Sequence, residues 1–197
     1  RQVVAAVKSR LAELAPSLPP GMTVVPFYDR SGLVDRAVAT VGRALLEAVV
    51  LVTLLLLAFL GNLRAAIVVA MMLPLSALGT FVLMRQFGLS ANLMSLGGLA
   101  IAIGMLVDGA VVVVENVETA LARDRTRRQP LLHLVYRAGR EVAAPVASGI
   151  AIIIIVFLPL LSLQGLEGKL FAPVALTIVF ALAVSLLLSL TLVPVLA

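Results

Sequence analysis

The sequence predicts an all-α transmembrane helix bundle of five spans, preceded by a small α/β extracytoplasmic N-terminal remnant. Of the 197 residues, 62% are apolar and 13% are charged, and the mean hydropathy is +1.17. Ordinary soluble domains are only about 45–50% apolar. This composition, which includes no cysteine, excludes a disordered chain, a disulfide scaffold, a cysteine-ligated zinc site and an ordinary water-soluble enzyme.

Residues 1–32 form the soluble-looking remnant. Apolar residues recur at helical spacing from Val3 to Leu14, which predicts an amphipathic helix. The segment from Met22 to Tyr28 is rich in β-branched and aromatic residues, which predicts a short edge strand. One helix and one strand are too small to bury a core. We therefore expect this piece to be the end of a larger domain, and the chain, which begins at Arg1, to be part of a longer protein.

Five apolar blocks follow within residues 33–197, the predicted bundle. A bilayer core of about 30 Å requires about 20 helical residues, and lipid-exposed backbone must be hydrogen-bonded internally. The blocks therefore predict membrane-spanning helices. They lie at about residues 44–60, 65–84, 93–117, 142–163 and 171–196.

The loop between the third and fourth spans is rich in arginine. Its arginines are Arg123, Arg125, Arg127, Arg128, Arg137 and Arg140. The positive-inside rule assigns this loop to the cytoplasm, so residues 1–42 lie on the opposite side of the membrane. Residues 121–141 are predicted to form an interfacial helix with leucines toward lipid and arginines toward headgroups.

The net charge of +5 raises the question of a nucleic-acid partner. The chain has no tryptophan and no basic groove rich in aromatic residues, so we expect membrane lipid and not nucleic acid as the partner. It has no phosphate loop, dinucleotide-binding fingerprint or nucleophile elbow. The sequence therefore does not predict an enzyme.

Asp108 is the most informative residue because it lies deep inside the third span, about 15 residues from its beginning. A carboxylate there costs roughly 2.5–3.5 kcal/mol on insertion scales, and burial favours its neutral form. Such a group can bind and release a proton. The alternative is a structural ion pair with a cation on another helix.

Glu115 follows Asp108 by seven residues, which returns to nearly the same face of a helix two turns later. With Asn116 as a supporting residue, the two carboxylates predict a proton path leading toward the cytoplasm. The alternative for Glu115 is an ordinary residue at the membrane interface.

Small residues around Asp108 predict close helix packing by this span. They include Gly97, Gly98, Gly104 and Gly109. Met94 and Met105 lie in the same span and offer thioether sulfurs to soft ions such as Cu(I) or Ag(I), although methionine in a span usually only packs. The residues alone assign no metal ligand.

The stretch from Asn92 to Val117, NLMSLGGLAIAIGMLVDGAVVVVENV, resembles the fourth transmembrane helix of resistance-nodulation-division (RND) permeases. The single aspartate before Gly109 and the position of Met94 resemble the heavy-metal efflux branch. The resemblance covers the whole chain, with residues 1–32 similar to the end of the periplasmic porter domain and the five spans similar to helices two to six.

The resemblance implies a homotrimeric, multi-pass permease of the bacterial inner membrane that works with a periplasmic adaptor and an outer-membrane channel. It places residues 1–42 on the periplasmic side and assigns proton relay to Asp108 and Glu115. The implied function is heavy-metal export by proton antiport, with no cofactor and the metal cation as substrate. Export of drugs or other organic solutes, and a non-transport scaffold or protein-export helper, remain alternatives.

Overall fold

A computed structural model describes residues 2–19, 21–25, 31–60, 63–123 and 130–196. The described residues contain seven α-helices, of which all but the first belong to the bundle. They are α1 (Gln2–Leu14), α2 (Ser31–Leu60), α3 (Leu63–Gln86), α4 (Leu93–Ile103), α5 (Val107–Arg123), α6 (Leu131–Phe157) and α7 (Gly165–Leu196). Short 3-10 helices, Ala15–Ser17 and Leu158–Ser162, follow α1 and α6.

Five helical stretches are long and apolar enough to cross a membrane, which confirms the predicted all-α bundle of five spans. They are Gly32–Leu55, Ala65–Gln86, Leu93–Arg123, Leu131–Ser162 and Gly165–Leu196. Most of these stretches extend several residues beyond the predicted apolar block at one or both ends, because the polar residues that flank the block are also helical.

Two predicted boundaries differ from the structure. The third span consists of two helices, α4 and α5, separated by three residues. The segment predicted as an interfacial helix, 121–141, is not a separate helix, because its last part from Leu131 is the beginning of α6. Residues 124–129 lie outside the described residues, and the interfacial position of the segment stays a prediction.

The predicted strand is absent from the described part of its range. Residues Met22 to Val25 are neither helical nor extended in a sheet, and residues 26–28 lie outside the described residues. The prediction was wrong for the described part because a strand is stabilised by a hydrogen-bonded partner strand, and the described residues supply none.

The last helix, α7, is the centre of the bundle and packs against α3, α4, α5 and α6. Its contact with α4 is close enough that a Cβ atom added at Gly98 would lie 2.7 Å from the backbone oxygen of Val174. A Cβ atom added at Gly79 of α3 would lie 2.6 Å from a methyl group of Val184. Glycine at these crossings allows the helices to approach closely, as expected for membrane bundles.

A short connection joins α3 to α4 and is fixed at both ends. Gly88 has a φ angle of 71°, and the amide of Leu89 donates to the carbonyl of Met84 at 2.8 Å, which ends α3 in a Schellman motif. Asn92 Oδ1 accepts from the amide of Ser95 at 2.9 Å, and Ser95 Oγ accepts from the amide of Asn92 at 2.9 Å. This capping box begins α4 and sets the antiparallel return of the chain.

Candidate functional site

The third span is interrupted between Ile103 and Val107, directly before Asp108. Met105 donates its amide to the carbonyl of Ala102 at 2.8 Å, and Leu106 donates to Ile103 at 3.4 Å. These bonds span three residues, so the chain is locally tighter than an α-helix. Interrupted helices inside membranes are characteristic of ion and substrate sites, because the break leaves backbone groups and helix ends available.

Asp108 lies in the first turn of α5 and is the central residue of the 31-residue stretch Leu93–Arg123. The amide groups of a first helical turn are not bonded within the helix and favour negative charge. The break therefore places a carboxylate in the middle of an apolar span at the electropositive end of a half-helix.

The side chain of Asp108 lines a groove between α5 and α6 with a volume of about 300 Å³. On the α6 side the groove is apolar, being lined by Pro145, Val146, Gly149, Ile150 and Ile153. Among the residues that the structure describes, none forms an ion pair or a hydrogen bond with the Asp108 carboxylate. Asp108 is exposed in the described bundle, so this chain presents an ionisable group at the side of an apolar groove and supplies no described counter-charge.

Glu115 and Asn116 lie two turns further along α5. Because α5 is unbroken, Glu115 is on nearly the same face as Asp108, about 10 Å along the helix axis. Glu115 is exposed, whereas Asn116 is half-buried and its Nδ2 donates to the carbonyl of Ala138 at 2.8 Å. Asn116 thus ties α5 to α6 beside Glu115, about 12 Å along the helix from Asp108.

The four glycines of the span differ in their surroundings. A Cβ atom at Gly98 would meet the backbone of α7, and one at Gly109 would lie 3.2 Å from a methyl group of Val146. A Cβ atom at Gly97 would have nothing within 4 Å, and one at Gly104 would meet only the carbonyl of Ile101, at 3.6 Å. Gly98 and Gly109 therefore sit at close contacts, and Gly104 is part of the break.

Met94 is not brought together with Asp108. It lies in the first turn of α4, where its amide donates to Asn92 Oδ1 at 2.9 Å and its side chain is exposed. Fourteen residues of mostly helical chain separate it from Asp108, which is about 20 Å. Met105 instead lines the groove of Asp108. The described residues contain no group of three or more His, Cys, Asp or Glu side chains placed to hold a metal ion.

Sequence comparison identifies the protein family of this chain. Residues 1–197 match the AcrB/AcrD/AcrF family along their whole length. The chain belongs to this family. Within the AcrB/AcrD/AcrF family, the chain is 44% identical over 200 residues to the cobalt-zinc-cadmium resistance protein CzcA of Cupriavidus metallidurans, covering 98% of this chain. It is 39% identical over 207 residues to the cation efflux system protein CusA of Escherichia coli strain K12, covering 100% of this chain.

A solved structure has the same fold as this chain. The crystal structure of a heavy metal efflux pump superposes with a TM-score of 0.79 at 44% sequence identity over 98% of this chain. The chain spans 19% of the length of that pump and 19% of CzcA. The expected resemblance to the heavy-metal branch of RND permeases is confirmed.

Two features of the site were not predicted from the sequence. The break at Gly104 carries a weak signal, because glycine in a membrane span equally indicates packing. Ser185 of α7, which donates a hydrogen bond to the carbonyl of Leu106 in the break, carries no signal at all. A lone serine in an apolar span most often bonds to its own helix.

Proposed function

We propose that this chain is the proton-relay bundle of a multi-pass permease that exports heavy-metal cations by proton antiport. The observation that carries the proposal is the Asp108 carboxylate, which stands at the first turn of a half-helix in the middle of an apolar span. A charged group at that depth is costly, and in transport proteins it marks an ion or proton pathway. The heavy-metal resistance and efflux proteins named above support metal cations as the substrate class.

The proposed cycle moves one proton at Asp108. The carboxylate binds a proton from the outer side of the membrane, which removes the charge from the apolar groove between α5 and α6. Release toward the cytoplasm passes by way of Glu115, which lies on the same unbroken helix, and the bond from Asn116 to Ala138 holds that helix against α6. The proton gradient supplies the free energy, so the proposal requires neither a bound cofactor nor a catalysed covalent reaction.

The assembly that we propose is a homotrimer in the bacterial inner membrane, joined to a periplasmic adaptor and an outer-membrane channel. The arginines around the end of α5 and the beginning of α6 support a cytoplasmic position for that side, and residues 1–42 are then periplasmic. Apolar side chains exposed on the outer helices, such as Leu54 of α2 and Ile152 of α6, support contact with lipid or with the remaining helices of a longer protein.

The test is transport by the full-length protein in proteoliposomes with an imposed proton gradient. Co²⁺, Zn²⁺, Cd²⁺, Ni²⁺, Cu(I), Ag(I) and a cationic dye are offered separately. We expect Asp108→Asn to abolish proton-coupled metal transport, because the amide cannot exchange the proton. Glu167→Gln is the matched control, since Glu167 also lies in the first turn of a membrane helix but outside the break, and it is expected to transport normally.

Two outcomes would contradict the proposal. Metal transport at the wild-type rate by Asp108→Asn would show that this carboxylate carries no essential proton. Transport of the dye but of none of the metals would refute the metal substrate and favour the organic-solute alternative.

A further inference from the structure

The hydroxyl of Ser185 reaches from α7 into the break of the third span. Ser185 is only 1% exposed, and its Oγ donates to the carbonyl oxygen of Leu106 at 2.8 Å. Leu106 is the last residue of the break and stands two residues before Asp108. The bond thus joins the central helix of the bundle to the backbone from which the half-helix of Asp108 begins.

This bond is unusual among the hydroxyls of the described helices. Five threonines donate to the carbonyl four residues earlier in their own helix, which is the ordinary arrangement for serine and threonine in apolar helices. They are Thr40, Thr53, Thr80, Thr177 and Thr191. Ser185 instead donates to a residue 79 positions away in the chain.

The break needs such a contact, because its own hydrogen bonds constrain it weakly. The bond from the amide of Leu106 to the carbonyl of Ile103 is long, at 3.4 Å. Leu106 is buried and directly precedes α5, so its carbonyl accepts the first bond of that helix, and the Ser185 hydroxyl is a second, interhelical donor to the same oxygen. Near its middle, α5 is held by the bond from Asn116 to Ala138, so interhelical hydrogen bonds fix the half-helix at two places.

In the described part of the chain, no charged side chain in the groove lining pairs with Asp108 to hold it in position. The α6 wall of the groove is apolar, and the α7 residue near Gly109 is the neutral Ser189. The charged residues of these two helices lie outside the groove lining; they are Arg137, Arg140 and Glu141 of α6 and Glu167 and Lys169 of α7. Among the described residues, the backbone at the break is therefore the part of the chain that positions the beginning of α5 and with it Asp108.

We propose that Ser185 is a positioning residue for Asp108. Its hydrogen bond to Leu106 holds the turn before α5 and so directs the carboxylate into the groove between α5 and α6. The inference rests on the proposed role of Asp108 in proton relay. It adds a residue on the central helix through which the packing of α7 controls the relay.

Ser185→Ala and Ser185→Thr in the full-length protein test this role, with Ser189→Ala as the matched control. Ser189 is buried one turn later on the same helix, but its Oγ donates to the carbonyl of Leu186 in its own helix at 3.0 Å. Two quantities are measured in proteoliposomes. One is kcat and KM for Zn²⁺, Co²⁺ or Cd²⁺, whichever the wild type carries fastest. The other is the infrared difference band of the Asp108 carboxyl, assigned by its loss in Asp108→Asn.

We expect Ser185→Ala to lower kcat by about tenfold or more with KM unchanged, because a misplaced reacting group slows the step without weakening substrate binding. The carboxyl band should shift or broaden in the same variant. Ser185→Thr, which retains a hydroxyl, should restore both, and Ser189→Ala should behave as the wild type.

Three results would overturn the inference. The first is a wild-type kcat and carboxyl band in Ser185→Ala. The second is equal impairment of Ser185→Ala and Ser185→Thr together with lowered thermal stability, which would show packing alone. The third is equal impairment of Ser189→Ala. In each of these cases the proposed role of Asp108 in proton relay still stands if Asp108→Asn loses transport. Transport by Asp108→Asn would refute that role, whatever the result for the Ser185 variants.

Discussion

The two halves of the third span, α4 and α5, differ both in polarity and in their role in the bundle. The residues of α4 are uncharged, and Gly98 brings its backbone against the backbone of Val174 in α7. The half-helix α5 carries both Asp108 and Glu115 and borders an open groove. One half therefore anchors the span, and the other carries the groups that can exchange protons.

The break separates these halves in the core as well. Leu99, Ala102 and Ile103 of α4 belong to one cluster of buried side chains, which also contains Leu106 of the break. The buried apolar side chains of α5 belong to two other clusters. Ala110, Val113 and Val114 pack in a cluster with the beginning of α3, and Val117 packs in a third cluster with α6. The two halves therefore pack mainly against different parts of the bundle, although Val107 of α5 also packs against the first cluster. This comparison predicts that substitutions at the α4 contact with α7 affect folding and that those at the carboxylates of α5 affect transport.

The largest effect is expected at the α4 contact with α7. Gly98→Ala would place a methyl group 2.7 Å from a backbone oxygen that cannot move aside, so we expect destabilisation of about 1–3 kcal/mol from overpacking. Thermal unfolding of the full-length protein in detergent measures it. Gly97→Ala is the matched control, since its Cβ would have nothing within 4 Å, and it should be neutral or slightly stabilising. Equal stability of the two variants would show that α4 is not the anchoring half.

The next largest effect is expected in α5, and it is a loss of transport rate. Glu115→Gln should slow proton-coupled metal transport by about tenfold, less than the loss in Asp108→Asn, because water can partly replace a relay group near the membrane surface. Its unfolding temperature should not change, since Glu115 is exposed and makes no described bond. Glu118→Gln on the same helix is the control and should retain transport. If Glu115→Gln lowers the stability but transports normally, Glu115 is a structural residue and not a proton-relay residue.

A smaller effect is expected where α5 meets α6. Asn116→Leu removes the side-chain bond to the carbonyl of Ala138 and should destabilise the bundle by about 1 kcal/mol. Ser148→Ala on α6 removes only an exposed bond within its own helix and should change stability by less than about 0.5 kcal/mol. Unfolding of both variants under the same detergent conditions gives the difference. If they are equally stable, Asn116 does not tie the two helices.

The smallest effect is expected outside both halves. Arg43 and Glu47 form an exposed ion pair of 2.8 Å within α2. Exposed pairs of this spacing contribute about 0.3–0.5 kcal/mol, so Glu47→Gln should leave both unfolding and transport almost unchanged. A large transport defect in this variant would mean that a charge outside the third span also takes part in the relay.

Much of the fold was predictable because membrane spans are a local property of the chain. Hydropathy predicted all five spans, and the isolation of Asp108 among apolar residues was visible without a structure. The strand predicted from Met22 failed in its described part, because β-propensity acts only where a partner strand is present. The interruption after Ile103 was missed because the apolar pattern continues through it unchanged.

The sequence by itself determined which segments enter the membrane and where a carboxylate lies within them. The reason is that transfer into lipid depends on the composition of each segment of about 20 residues. Only the tertiary structure decided that α7 is the central helix, that the span of Asp108 is interrupted, and that Ser185 bonds to the break. These features arise from contacts between residues far apart in the chain, and in such contacts a buried hydroxyl or a missing Cβ outweighs average hydropathy.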